Sequence, residues 1–422
     1  MKSSNPIGFA GLTHLGIVYS MAAAARGFSV LAFDERSSVT EALTLGSFPI
    51  TETGLEEVRL EHGDRIHYTA DPAELRNCEL IFLTLDVATN EGNTSDLGPL
   101  DALFAKVIDH AAPGAVLVVM SQVPPGYSRA LCDRLPTGGR LFYQVETLVF
   151  GDAISRAIHP ERFMIGCAEP PEGLPEVLRG YLAAFDCPIL PMRFESAELT
   201  KIAINCFLVS SVTTSNTLAE ICENTGADWR EIVPALRLDR RIGPHAYLSP
   251  GLGIAGGNLE RDLVTVQRLA AHHGTDAAVV TAWQRNSLYC RDWVLRRLFN
   301  LGLLQQPAES TLAVWGLAYK QDTHSTKNSP SLGLLRALSD YQWRAYDPAA
   351  TLAVVDFPRV CVCSSALDAA YGANVLVVMT PWKEFASISL DQLPTRYVID
   401  PYGILDGDRC RELGIQYARI GS

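Results

Sequence analysis

No stretch of about 18 uncharged apolar residues, the length a bilayer-crossing helix needs, occurs in this sequence, which argues against a membrane span. Behind Met1-Lys2-Ser3-Ser4-Asn5-Pro6 there is no apolar core followed by a small-residue cleavage site. A secretory signal is therefore not expected, and a cytoplasmic protein is. Basic residues are few: 35 Lys and Arg against 47 Asp and Glu give a formal net charge of −12. That balance argues against nucleic-acid or anionic-membrane partners, which need basic surface. An anionic ligand would have to rely on a few local cations and backbone N–H groups. Clustered metal ligands are missing too. The cysteines are scattered, and only Cys361 and Cys363 are close. In their apolar Cys-Val-Cys run they would share one strand face, which reads as core filling rather than a metal site.

Core material is abundant: 48% of the residues are apolar and 19% charged. A chain of 422 residues exceeds one core and predicts two or three domains. Ile7–Ala10 reads as a strand, Leu15–Arg26 as a helix and Ser29–Phe33 as a second strand. Leu80–Leu85, Ala115–Met120 and Leu141–Val145 have the density of buried parallel strands. From about Glu195 the character turns helical, with Ala197–Cys222 as one long apolar helix and at least one more within Asp262–Leu298. Strand patterns resume at Leu312-Ala313-Val314-Trp315, Val375–Met379 and Tyr397–Asp400. The expected fold is α/β, with two Rossmann-like doubly wound lobes (1–194 and 305–422) joined by a central helical domain (195–304) with a long helix. Gln305–Ser310 is the expected linker.

Gly11-Leu12-Thr13-His14-Leu15-Gly16 stands between the first strand and first helix, where a dinucleotide fingerprint belongs. Gly11 allows the tight turn and Gly16 the close helix packing. The middle glycine, which admits the pyrophosphate, is replaced by Thr13. Asp34 ends the second strand 23 residues after Gly11, where a carboxylate binds the adenosine ribose and repels the extra phosphate of NADP. NAD is the expected cofactor, with Arg36 as a neighbour that could weaken that preference.

Three longer segments carry more information. Ala197-Glu198-Leu199-Thr200-Lys201-Ile202-Ala203-Ile204-Asn205 opens the long helix, with Lys201 and Asn205 four apart on one face. Arg241-Ile242-Gly243-Pro244 precedes the glycine-rich Gly251–Gly257. Gly316-Leu317-Ala318-Tyr319-Lys320 and Ser329-Pro330 mark the first turn of the last lobe. In this order they resemble the UDP-glucose/GDP-mannose dehydrogenase family along essentially the whole chain. The resemblance implies an NAD-dependent oxidoreductase acting on a nucleotide-diphosphate sugar, with a UDP- or GDP-sugar as substrate. It implies that Lys201 and Asn205 face the sugar and that Gly253 and Gly256 belong to a loop over it. Tyr319 and Lys320 then lie at the nucleotide phosphates, and Tyr247 is counted with the substrate residues. The family pairs through its central region, so a homodimer is implied, with Arg241 reaching the neighbouring subunit's substrate in a shared active site.

The resemblance breaks at the family's nucleophile. Members carry Gly-Gly-Ser-Cys-Phe-Pro-Lys-Asp, in which the cysteine captures an aldehyde and passes it through a thioester to the acid. Here the segment is Gly256-Gly257-Asn258-Leu259-Glu260-Arg261-Asp262, which puts Asn258 at the thiol's place. An asparagine amide cannot form a thioester. Glu146, in Gln144-Val145-Glu146-Thr147-Leu148, matches the family glutamate, and Lys201, Asn205 and Asp262 remain. Together they could deprotonate an alcohol and stabilise an alkoxide. Other departures accompany the lost cysteine. Gln122 replaces a cofactor-side threonine, and Thr84-Leu85-Asp86-Val87-Ala88 replaces Val-x-Thr-Pro. Phe150-Gly151 replaces Glu-Gly, Lys327 replaces an arginine before Ser329-Pro330, and Tyr402 replaces the arginine of Asp-Gly-Arg. Gln122 and Lys327 are counted with the cofactor residues, and Tyr402 with the substrate residues. The favoured reading is a two-electron oxidation to a ketone or aldehyde, or an oxidation–reduction epimerisation. The alternatives are a cysteine-free route to the uronic acid through the hydrated aldehyde, and a catalytically silent NAD or nucleotide-sugar binding protein.

Overall fold

Strands buried on both faces need helices above and below, and the apolar runs of the sequence form such strands. The structure is a computed structural model, and it describes residues 5–90, 92, 94–170, 173–304, 307 and 310–422. The expected linker residues Gln305, Gln306, Ala308 and Glu309 lie outside them. The chain divides into two compact units, one ending at Ile204 and the other beginning at Asn205.

The first unit holds an eight-stranded sheet: β1 (Ile7–Ala10), β2 (Val30–Phe33), β3 (Ile66–Thr69), β4 (Leu80–Leu83), β5 (Val116–Val119), β6 (Arg140–Gln144), β7 (Phe163–Cys167) and β8 (Ile189–Arg193). The order is β3-β2-β1-β4-β5-β6-β7-β8, and only the β6–β7 pair is antiparallel. Alternation sends Ile7, Phe9 and Phe82 into one core layer and Ala10, Ile81 and Leu83 into the other. Because the chain steps from β3 back to β1 and then across to β4, a topological switch point lies between β1 and β4, at whose carboxyl ends such folds bind ligands.

The second unit carries a six-stranded parallel sheet of β9 (Thr311–Trp315), β10 (Gln342–Tyr346), β11 (Val360–Val362), β12 (Val375–Val378), β13 (Tyr397–Ile399) and β14 (Gln416–Ala418). Its order, β11-β10-β9-β12-β13-β14, repeats the 3-2-1-4-5-6 pattern of the first six strands. Asp262–Leu298 is distributed over three helices, Asn258–His273, Ala278–Arg291 and Trp293–Asn300. The core-filling expectation for the Cys-Val-Cys run holds only for Cys363, which is buried. Cys361 is exposed on the edge strand β11, and the strand ends before Cys363, so strict alternation does not carry through.

The long helix runs from Phe194 to Thr225, three residues further at each end than expected. Its best window has a mean hydropathy of 1.2 with at most two charged residues, so by length and composition it could cross a membrane. The sequence-level expectation of no such segment is corrected on that point. Polar residues spaced along a helix lower an apolar count without removing its mean hydropathy. Near its start, Glu198 is fully buried and accepts hydrogen bonds from the N–H groups of Gly126 at 2.6 Å and Ser128 at 2.7 Å. Burial pushes its carboxyl up, and those two N–H groups pull it only part of the way back. The bonds tie the helix to the loop that follows β5. Replacing the carboxylate strands one buried and one partly buried donor, at about 1–3 kcal/mol for each buried one. Glu198→Ala should therefore lose about 2–5 kcal/mol in urea unfolding; an unchanged midpoint would show that the tie carries no weight.

Candidate functional site

The turn after β1 is built on close approach. A Cβ at Gly16 would stand 2.0 Å from the carbonyl oxygen of Gly11, so no side chain fits there. Thr13 tolerates the place of the middle glycine because its φ is −85°, and it sits just before the helix His14–Ala25. Its hydroxyl is turned away onto the strand-end loop of β4. It donates to the carbonyl of Thr84 at 3.2 Å and accepts from the N–H of Asp86 at 2.9 Å. The Thr84 hydroxyl in turn donates to the carbonyl of Gly11 at 2.9 Å. His14 meets the buried Glu52 at 2.7 Å, and Glu52 also accepts from Gly151 N–H at 2.8 Å and Ala153 N–H at 3.1 Å. Phe150 lies against the His14 ring, 4.5 Å between centroids. Glu52 is a site-building residue that the sequence reading missed.

Asp34 is 4% exposed at the end of β2. Its carboxylate accepts from Leu12 N–H at 2.9 Å and Arg36 N–H at 3.1 Å, and from the Arg36 guanidinium at 2.7 and 2.8 Å. Burial pushes this carboxyl up, but the Arg36 and Leu12 donors outweigh it and hold it below its ordinary value. Beside it lies a cavity of about 300 Å³ lined by Gly11, Thr13, Asp34, Arg36, Leu85 and Lys106. Gln122 follows β5 at the same carboxyl end of the sheet, where Ser121 donates to the carbonyl of Leu85 at 2.6 Å. The glycine turn, the close-packed helix start and the buried acid fit a dinucleotide. A larger cavity of about 850 Å³ lies at the opposite strand ends, near Ile7, Ala115 and Arg140, and holds none of these residues.

The first unit also joins Glu146 to Lys201. The ammonium lies 2.6 Å from the carboxylate, with the side chains 12% and 17% exposed. Glu146 accepts from Leu148 N–H at 2.9 Å with its other oxygen.

In the second unit Asn205 donates to Asp262 at 2.5 Å, and both are buried. Arg261, also buried, has its Nε 3.6 Å from the other carboxylate oxygen. Asn258 opens the helix Asn258–His273 and is exposed, with Gly257 before it at φ 103°. Cys206, beside this pair, offers no replacement nucleophile: burial and the Asp262 carboxylate push its thiol up to about 11. The glycine loop is tightly seated. A Cβ on Gly256 would lie 2.4 Å from the Tyr319 ring, and Gly253 presses on Ser287. Lys327 lies in this unit with its side chain against Gly257, and its carbonyl accepts from Gly256 N–H at 3.2 Å. Lys320 follows Tyr319 in the same turn. Glu260, unnoticed in the sequence, accepts from both Arg291 and Asn328 and clamps the loop. Tyr402 donates to the carbonyl of Met379 at 3.2 Å and covers Gly251. Arg241 and Tyr247 point outward, with the Arg241 side chain 89% exposed and paired to Asp239 at 2.6 Å.

Family models support the same division of labour. Residues 5–182 match the NAD binding domain of the UDP-glucose/GDP-mannose dehydrogenase family, 195–287 its central domain and 313–410 its UDP binding domain. A UDP-glucose 6-dehydrogenase of Pseudomonas aeruginosa is 28% identical, over 97% of this chain and 96% of its own. One from Rickettsia conorii is 25% identical over 99% of each chain. The fold resembles a UDP-glucose dehydrogenase from Pyrobaculum islandicum, with a TM-score of 0.85, 23% identity and coverage of 100% and 98%. It also resembles a UDP-D-ManNAc dehydrogenase from Pyrococcus horikoshii, with a TM-score of 0.84, 20% identity and 99% coverage of both. With all three domains matched in order, the chain belongs to the UDP-glucose/GDP-mannose dehydrogenase family of NAD-dependent nucleotide-sugar oxidoreductases.

Proposed function

We propose that this protein oxidises a carbinol of a nucleotide-diphosphate sugar by two electrons and forms no thioester. The product is a ketone or aldehyde that either leaves or is reduced again on its other face. The observation that carries this reading is Asn258 at the opening of the helix Asn258–His273, with Cys206 the neighbouring thiol pushed up to about 11. NAD, when bound, takes the hydride. The protein's own groups deal with the proton and the charge. Lys201 stabilises the developing alkoxide, as an ammonium held in a largely buried place does best. Glu146 fixes its position. Asp262, oriented by the Asn205 amide, receives the proton. Lys201 and Asn205 stand one turn apart on the long helix.

We further infer a homodimer that covers Phe207, Leu218 and Ile221, a stripe of one helix face that is 77%, 42% and 50% exposed. The outward Arg241 would then serve the partner's substrate. A cytoplasmic location fits ten cysteines that are all free thiols.

With NAD and a panel of UDP-, GDP- and dTDP-sugars, the expected yield is one NADH per sugar, or a changed sugar with none; two would refute the reading. Lys201→Ala should lower kcat by about 10²–10⁴-fold, while Asn258→Ala should stay within about tenfold, or about 1.4 kcal/mol of barrier. Equal losses in the two variants would give Asn258 a chemical role that this account denies it. In sedimentation the wild type should run as a dimer and Phe207→Asp as a monomer; a monomeric wild type would end the shared-site proposal.

A further inference from the structure

The cofactor turn is occupied by the protein's own groups. At the start of the helix His14–Ala25 the N–H of Leu15 donates to Oδ2 of Asp86 at 3.2 Å, and the N–H of Asp86 donates back to the Thr13 hydroxyl at 2.9 Å. The carboxylate therefore sits on the positive end of the helix that a dinucleotide's pyrophosphate uses. Asp86 is exposed, and its neighbour Leu85 and its hydrogen-bond partner Thr13 line the cavity beside Asp34. The ribose anchor is filled as well. Each oxygen of Asp34 accepts two hydrogen bonds, from Leu12 and Arg36 N–H groups, so the roughly four acceptor positions of the carboxylate are all taken. Arg36 can leave, since its side chain is 54% exposed. Asp86 can swing aside, but its charge stays near the pyrophosphate, and like charges at such range repel strongly.

We propose that Asp86 sets the cofactor affinity of this protein: it holds the anion position of the turn and must yield it before a pyrophosphate can enter. The inference deepens the proposed function, on which it rests for the identity of the reaction. A cofactor opposed in this way exchanges readily, which favours the dehydrogenase that releases its product over the epimerase that keeps its cofactor through many turnovers.

The test is binding, so it stands even if the proposed reaction is wrong. Titration calorimetry would compare the wild type, Asp86→Asn and Asp86→Gly with NAD, ADP-ribose and adenosine. Both variants should bind NAD and ADP-ribose about ten- to a hundredfold more tightly, the scale of removing one close negative charge. Adenosine, which has no phosphate, should bind all three proteins alike. Melting temperatures without ligand identify any variant that fails to fold, and the other then decides. Equal or weaker binding of ADP-ribose by the folded variants would overturn the proposal, and so would an equal gain for adenosine. Failure of all three proteins to bind ADP-ribose would overturn it too.

Discussion

The ammonium of Lys201 and the carboxylate of Glu146 lie 2.6 Å apart with little access to water, and the proposed chemistry depends on that pair. Taking two charges out of water is costly, and removing one partner would leave the other buried and unpaired, at about 3–5 kcal/mol. The pair therefore holds the segment after β6 against the long helix with real force. The helix then fixes Asn205 one turn further on, and Asn205 holds Asp262. In the proposed reaction this pair, just past the carboxyl end of β6, is the charge that meets the alkoxide.

In the second unit, the loop leading into the helix Asn258–His273 presents Asn258 where the family resemblance puts the nucleophile. Gly256 and Gly257 keep the tight backbone, and Tyr319 presses against Gly256 so closely that any side chain would collide. Glu260 fastens the loop through Arg291 and Asn328. The loop is thus held by close contacts, and its exposed position presents the Asn258 amide. Under the proposed function, such a loop keeps substrate positioning and hydride transfer and lacks the covalent step that separates an aldehyde from an acid.

Much of this was legible in the sequence, for reasons that vary by residue. Gly11, Gly16 and Asp34 are readable because a dinucleotide turn imposes spacing on a strand, a helix and an acid. The buried strands are readable because parallel sheets need continuous apolar runs. Thr13 looked like a defect in the fingerprint; it is a tether, visible only once its hydroxyl is seen on the β4 loop. Glu52 and Glu198 gave no local signal, since their backbone partners Gly151 and Gly126 lie 99 and 72 residues away in the chain. Asp86 was visible as a departure from the family pattern, but its place on the helix start required the two loops to be folded together. Tyr402 marked a lost arginine, whereas in the structure its ring covers Gly251.

The division between hydride transfer kept and thioester lost comes down to the fate of one carbon. A nucleotide sugar isotopically labelled at its primary alcohol carbon, turned over with NAD and followed by NMR, reports that fate directly. The account predicts no carboxylate resonance: the labelled carbon becomes an aldehyde or its hydrate, or stays a carbinol while a ketone or epimer forms at a secondary carbon. A labelled carboxylate formed at the rate of NAD reduction would contradict it.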